Sequence, residues 1–180
     1  MMIRLLAVMF LGLATSFGCI CQAQEPSKQP TPQPASDQRS KEPEVVAYLA
    51  RQSDYFNVAP VYRVTIYADG SVEYVGMRNV KTVGTAKGSI SQQDLKHLIG
   101  AFERANFFSL RDTYTANDGC PIVMSDSSSV YIWYQSGDKK KLIYHYLGCM
   151  DKSTNSVFPP RLYELEEMID QLVHSSQWIN

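Results

Sequence analysis

The sequence has little net charge, few cysteines and no long apolar run, and each shortage narrows what the chain can be. The formal net charge is −1 with 19 % charged residues, which argues against nucleic acid or an anionic membrane as the main partner. Lys139-Lys140-Lys141 is the one basic run, and its position just after a predicted turn makes it a solvated loop tip. Of the four cysteines none forms a Cys-x-x-Cys pair, so the usual redox signature is missing. A P-loop, a dinucleotide fingerprint, a zinc-protease motif and a G-x-S-x-G elbow are missing too, and no cofactor is implied. No repeat of fixed period stands out. The longest apolar stretch, Leu5 to Ala14, is about ten residues, too short to span a bilayer.

That short run follows Arg4 and has the proportions of an export signal. Residues 1–23 are therefore read as an export signal with two candidate endings. Ser16-Phe17-Gly18-Cys19 has the small residue and cysteine of a bacterial lipoprotein site, which makes Cys19 a candidate for lipidation. Cys21-Gln22-Ala23 instead suits ordinary cleavage before Gln24. Residues 24–44 are rich in Pro, Gln, Ser and Lys with almost nothing apolar, and read as a disordered linker. The folded domain is then 45–180, long enough for its own core.

Within it, Val61 to Val75 is the organising stretch: two alternating β-rich runs around Asp69-Gly70. A three-residue loop, Ala68-Asp69-Gly70, pairs Ile66 with Val72 and Val64 with Tyr74, which gathers the apolar residues on one face. It also places Gly70 where a turn with a bulge needs a left-handed residue. Val45 to Leu49 reads as a first strand and Val80 to Thr85 as a third one. Ser91 and Asp94 form an N-terminal capping pair, and Leu95, Leu98, Ile99 and Phe102 recur with helical period up to a stop at Asn106. A polar loop covers Arg111 to Asp126. Strands at Ser128 to Gln135 and Lys141 to Leu147 follow, joined by an odd-length turn at Ser136-Gly137-Asp138. That parity aligns Val130, Ile132 and Tyr134 with Leu142, Tyr144 and Tyr146, and leaves Tyr131, Trp133, Ile143 and His145 on the other face. The last helix starts after Pro159-Pro160 and carries a stripe of Leu162, Leu165, Ile169, Leu172 and Val173, with Glu164, Glu166 and Glu167 near its positive end. Trp178 and Ile179 pack the terminus down. The expected fold is α+β: an antiparallel sheet of about five strands packed with two helices.

Cys120 and Cys149 flank the second hairpin, whose open ends come together, so in an exported protein they are expected to form a disulfide. The sharper alternative is a metal site from Cys120, Cys149 and His145, with Asp118 or Asp151 as fourth ligand. His97 reads as solvated, and His174 as a helix-end charge. The serine run Ser125 to Ser129 reads as turn chemistry, and the spacing of Asp112, Asn117 and Asp118 fails a calcium loop. The compositional excess is 11 tyrosines and 2 tryptophans. Tyr131, Trp133 and His145 on one face are the candidate binding surface for a glycan or peptide, against the plainer reading that they fill a two-sided core.

Taken together, Pro60-Val61-Tyr62, Ile66 with Asp69-Gly70, then Val72, Tyr74 and Gly76 resemble the opening of a bacterial exported family, domain of unknown function six-four-three-eight. Gly119-Cys120-Pro121, Asp126 before a strand, and His145-Tyr146 with Gly148-Cys149 resemble its second half. The chain departs from that family at Tyr55 and Ala59, where the family pattern has a C-x-x-x-C pair. The resemblance implies an exported α+β domain and supplies no catalytic residue. The expectation is a non-enzymatic binding or structural module of the cell envelope, periplasmic or lipid-anchored, whose partner is an envelope protein, peptide or glycan. It would meet the membrane only through the N-terminal anchor. An envelope enzyme or metal-binding protein centred on His145, Cys149 and Asp118 is the alternative.

Overall fold

Strand β1 (Val45–Gln52) is the axis of the molecule, hydrogen-bonded on one side to β2 (Val61–Tyr67) and on the other to β7 (Ser129–Ser136). The computed structural model describes residues 44–180. The predicted export signal and nearly all of the predicted linker, with Cys19 and Cys21, lie outside the described residues. The hairpin of β2 with β3 (Ser71–Arg78) has the expected register, Ile66 opposite Val72 and Val64 opposite Tyr74. Gly70 takes φ +85°, and Asp69 Oδ1 accepts the Ser71 N–H at 2.8 Å, which closes the turn.

The third strand lies later than the sequence suggests. β4 is Gly84–Ser89; Lys81 and Thr82 lie in the connecting loop, donating their N–H groups to Ile179 and Trp178 carbonyls. As an edge strand β4 needs no buried face, so its own residues carry almost no apolar signal. Helix α1 (Gln92–Arg104) begins as expected: Ser91 Oγ accepts the Asp94 N–H at 3.0 Å. Asn106 ends it in the left-handed region, φ 52°, before a 3₁₀ turn at Phe107–Ser109.

The remaining elements are β5 (Thr113–Tyr114), β6 (Ile122–Val123), β8 (Lys139–Tyr146), β9 (Cys149–Met150), α2 (Pro160–Leu172) and α3 (Ser176–Ile179). The fold is α+β, but the sheet is larger than expected and not purely antiparallel. Seven strands run in the order β4-β3-β2-β1-β7-β8-β5, with β5 parallel to β8, and β6 pairs with β9 in a separate ribbon. Among the described residues there are three helices, where two were expected. The extra strands have two residues each, too few for any periodicity to register.

The second hairpin corrects the predicted register. Its loop is the two residues Gly137-Asp138, with Gly137 at φ 56° where a type II′ turn takes glycine. Ile132 therefore faces Ile143, and Val130 faces His145. One residue of loop length moves the whole of β8 to the opposite face. Ile143 and His145 enter the core, and Leu142 and Tyr144 join Tyr131 and Trp133 outside.

A single core results, in which Leu49, Val64, Ile66, Ile132 and Ile143 from the sheet meet Leu98, Phe102, Leu162 and Ile169 from α1 and α2. Phe102 stacks on Tyr134 at 4.0 Å, and Trp178 stacks on Tyr74 at 4.8 Å, which pins α3 to the sheet. Lys141, expected at a solvated tip, is half-buried instead. Its ammonium pairs with Asp112 at 2.8 Å and also donates to the Leu110 carbonyl.

Candidate functional site

The helices pack on one face of the sheet, and among the described residues no helix covers the other. Alternation makes the contrast plain: Ala47 and Leu49 have no exposed surface, whereas Tyr48 between them is half-buried. Cross-strand pairing then assembles two rows on the open face. Thr65, Tyr48, Trp133 and Leu142 form one, and Arg63, Ala50, Tyr131 and Tyr144 the other. The Tyr131 and Tyr144 rings lie 5.0 Å apart. Ala50, the small member, lies between Arg63 and Tyr131 and is only 2 % exposed, covered by the larger side chains around it. Burial pushes the Tyr48 phenol up, opposed by the nearby Arg63 charge, so Tyr48 stays a neutral donor. At the margin Arg63 faces Glu73 at 3.8 Å. The surface can stack an apolar ring face and offer hydrogen bonds beside it.

Of the predicted trio, Tyr131 and Trp133 belong to this face and His145 does not. The two-residue turn puts His145 on the helix side, fully buried, with Nδ1 2.7 Å from Glu166 Oε1 and Nε2 3.0 Å from the Phe158 carbonyl. Glu166 is fully buried as well, and burial raises its carboxyl above the ordinary value, against the hydrogen bond and charge of His145. The Phe158 carbonyl can only accept, so His145 Nε2–H donates to it, and a single proton is shared between Glu166 Oε1 and His145 Nδ1. Glu166 Oε2 has no partner. The pair ties β8 to α2 and to the segment before it. Glu166 was missed as a core residue although the signal was present: it lies four residues after Leu162 and three before Ile169, on the apolar stripe itself.

Cys120 and Cys149 are joined in a disulfide with Cα atoms 5.3 Å apart. It staples the polar loop to β9, where Val123 pairs with Cys149 and Ile122 with Met150. Tyr146 reinforces the join, its hydroxyl donating to the Met124 carbonyl at 2.7 Å and accepting the Ser127 N–H at 3.1 Å. Asp118 is held by Thr115 Oγ1, which lowers its carboxyl. Asp151 organises its own turn, accepting from Ser153 and Thr154, and those bonds bring its carboxyl down to about 2. The candidate metal ligands thus each have other partners, and among the described residues no group of three His, Cys, Asp or Glu is placed to hold a metal.

One further polar cluster went unread in the sequence. Arg51 donates to Asp170 at 2.7 Å and to Glu167 at 2.8 Å, and the Tyr62 hydroxyl donates to the second oxygen of Asp170 at 2.7 Å. Burial, then the adjoining Asp170 carboxylate, push the Tyr62 phenol far up. These groups border a cleft of about 300 Å³ with Gln52 and Ser129, but they saturate one another and lock α2 to β1 and β2.

A family model described as a domain of unknown function, DUF6438, matches residues 52–173, well over half of the chain. No curated protein matches it.

Proposed function

The chain belongs to the DUF6438 family of domains of unknown function, and from that premise we propose that it is an exported, non-enzymatic binding module of the bacterial envelope. Its ligand site is the open sheet face around Tyr48, Tyr131, Trp133 and Tyr144. The observation that carries this reading is the one-sided packing: four aromatic side chains and Leu142 are gathered on a rigid sheet, with no helix over them among the described residues. Exposed apolar surface on ordered strands is costly to keep unless a ligand uses it. Flat aromatic rings flanked by Arg63 and Glu73 suit a glycan or a peptide, which bring apolar faces and polar edges together. The disulfide and the apolar N-terminal run both support export. The intact mass of the mature protein distinguishes a diacylglyceryl group on Cys19 from a soluble chain starting at Gln24.

Soluble peptidoglycan fragments, which carry glycan and peptide in one molecule, are the probe of choice. Saturable binding with a change in Trp133 fluorescence is expected, weakened roughly tenfold or more by Trp133→Ala with Tyr131→Ala. Binding that is untouched by those substitutions would remove the open face from consideration. Turnover of the fragments that is lost in Glu166→Ala would instead favour the enzyme alternative. That alternative has one observation behind it, the His145–Glu166 pair, whose two side chains have no exposed surface.

A further inference from the structure

The open face does not account for a second apolar surface, at the end of the sheet where β1 meets β2 and β3 meets β4. Tyr55, Phe56, Val58 and Val83 there are between 67 and 76 % exposed, with Met77 at 44 %. The two loops are one unit, because the Asn79 side-chain amide donates to the Asn57 carbonyl at 2.5 Å and to the Ala59 carbonyl at 3.1 Å. Neither loop is loosely made. Asp54 accepts the Asn57 N–H on its carbonyl at 3.1 Å and the Val58 N–H on Oδ1 at 3.0 Å. Ser53 Oγ donates to the Ala59 carbonyl at 3.2 Å, and the Tyr55 and Phe56 rings meet edge to face at 5.5 Å. The second loop is tied to the C-terminal helix through Lys81 and Thr82. Backbone order is thus spent on holding apolar side chains out in water, the reverse of what an unoccupied loop would do.

Charge and shape select the occupant. Arg78 and Lys81 are exposed beside the tip, and neither has a carboxylate within ion-pair distance among the described residues. The nearby acid, Asp54, turns its carboxylate into its own loop. The exposed apolar side chains come from two adjoining loops beyond the paired ends of the strands, so the tip is placed to enter another surface. We propose that this tip inserts into an anionic lipid bilayer. Phe56, Val58 and Val83 would reach the acyl boundary, Tyr55 would lie at headgroup depth, and Arg78 and Lys81 would meet lipid phosphates. The contact would be independent of any N-terminal anchor, which departs from the expectation that the chain meets the membrane only there. It rests on two local cations, not on net charge, and it would turn the sheet to a fixed orientation on the membrane.

The test is site-specific, because the N-terminal apolar run of the full chain can bind lipid by itself. The full chain carrying Phe56→Trp is mixed with vesicles of phosphatidylcholine and phosphatidylglycerol, with and without brominated acyl chains. Emission from the new indole, taken as the difference from the parent chain, should shift to the blue and be quenched by the bromines. Adding Arg78→Gln and Lys81→Gln should weaken that response roughly tenfold and reduce its dependence on salt. These positions are exposed, so unchanged thermal unfolding confirms that the fold is intact. Sedimentation with vesicles without any response at position 56 would overturn the proposal, as would an equal response on phosphatidylcholine alone. A concentration-dependent shift without vesicles would assign the tip to a second copy of the chain and overturn it too.

Discussion

Replacing Glu166 with glutamine tests where the buried proton sits. The Glu166 carboxyl and the His145 imidazole are both fully buried and 2.7 Å apart. A protonated carboxyl donates to His145 Nδ1, and the glutamine amide donates to it equally well, with the same shape and the same orphaned second oxygen position. Glu166→Gln should therefore stay within about 1 kcal/mol of the parent, the range of a single net hydrogen bond. Glu166→Ala removes the donor and leaves His145 Nδ1 unpaired beside a void, which should cost about 3–5 kcal/mol. The pH dependence carries a definite sign. Burial raises the folded pKa of Glu166 above its ordinary 4.5. The stability its acid form contributes is complete below 4.5 and is lost as pH rises through the raised folded value. Glutamine does not titrate, and His145 is common to both chains, so the difference in stability should move in favour of the glutamine variant as pH rises. Urea unfolding, followed by Trp133 and Trp178 fluorescence with the disulfide intact, measures this at a series of pH values. If Glu166→Gln costs as much as Glu166→Ala and the difference is flat with pH, the pair is an imidazolium facing a carboxylate and the assignment is wrong.

Two other perturbations probe the frame that holds the open face. Gly70→Val puts a β-branched side chain at φ +85°, with its Cβ 2.7 Å from the Ile90 carbonyl oxygen, where the Ile90 N–H also donates to the Gly70 carbonyl at 2.9 Å. A loss of about 2–4 kcal/mol in urea unfolding is expected, and no loss would show that the turn is built otherwise. Cys120→Ser with Cys149→Ser removes a crosslink of sequence separation 29, worth about 3–4 kcal/mol. Early amide-exchange loss should concentrate at Ile122 to Met124 and Met150, and uniform loss across β1 and β2 would contradict a local staple.

How far the molecule could be read in advance depended on whether each signal was local. The first hairpin was legible because parity and Gly70 agreed: a single loop length puts Val64, Ile66, Val72 and Tyr74 on one face. The start of α1 was legible because Ser91, Asp94 and Leu95 satisfy a short-range rule. The second hairpin was not, because Ser136-Gly137-Asp138 accommodates a two- or a three-residue loop, and both strands are apolar on both faces. That ambiguity alone misplaced His145 and mixed the candidate binding trio.

The sequence by itself determined the α+β class, the register of the first hairpin and the start of α1, and it favoured the pairing of Cys120 with Cys149 over a metal site, since each follows from spacing within a few residues or from a simple count. Only the tertiary structure decided that Glu166 leaves solvent to meet His145, that Lys141 turns inward to Asp112, and that Leu142 and Tyr144 share the face of Tyr131 and Trp133. The physical reason is common to all three. A glutamate, a lysine or a tyrosine on an amphipathic element costs little on either side until its neighbours across the sheet are known, and those neighbours come from strands far away in the chain.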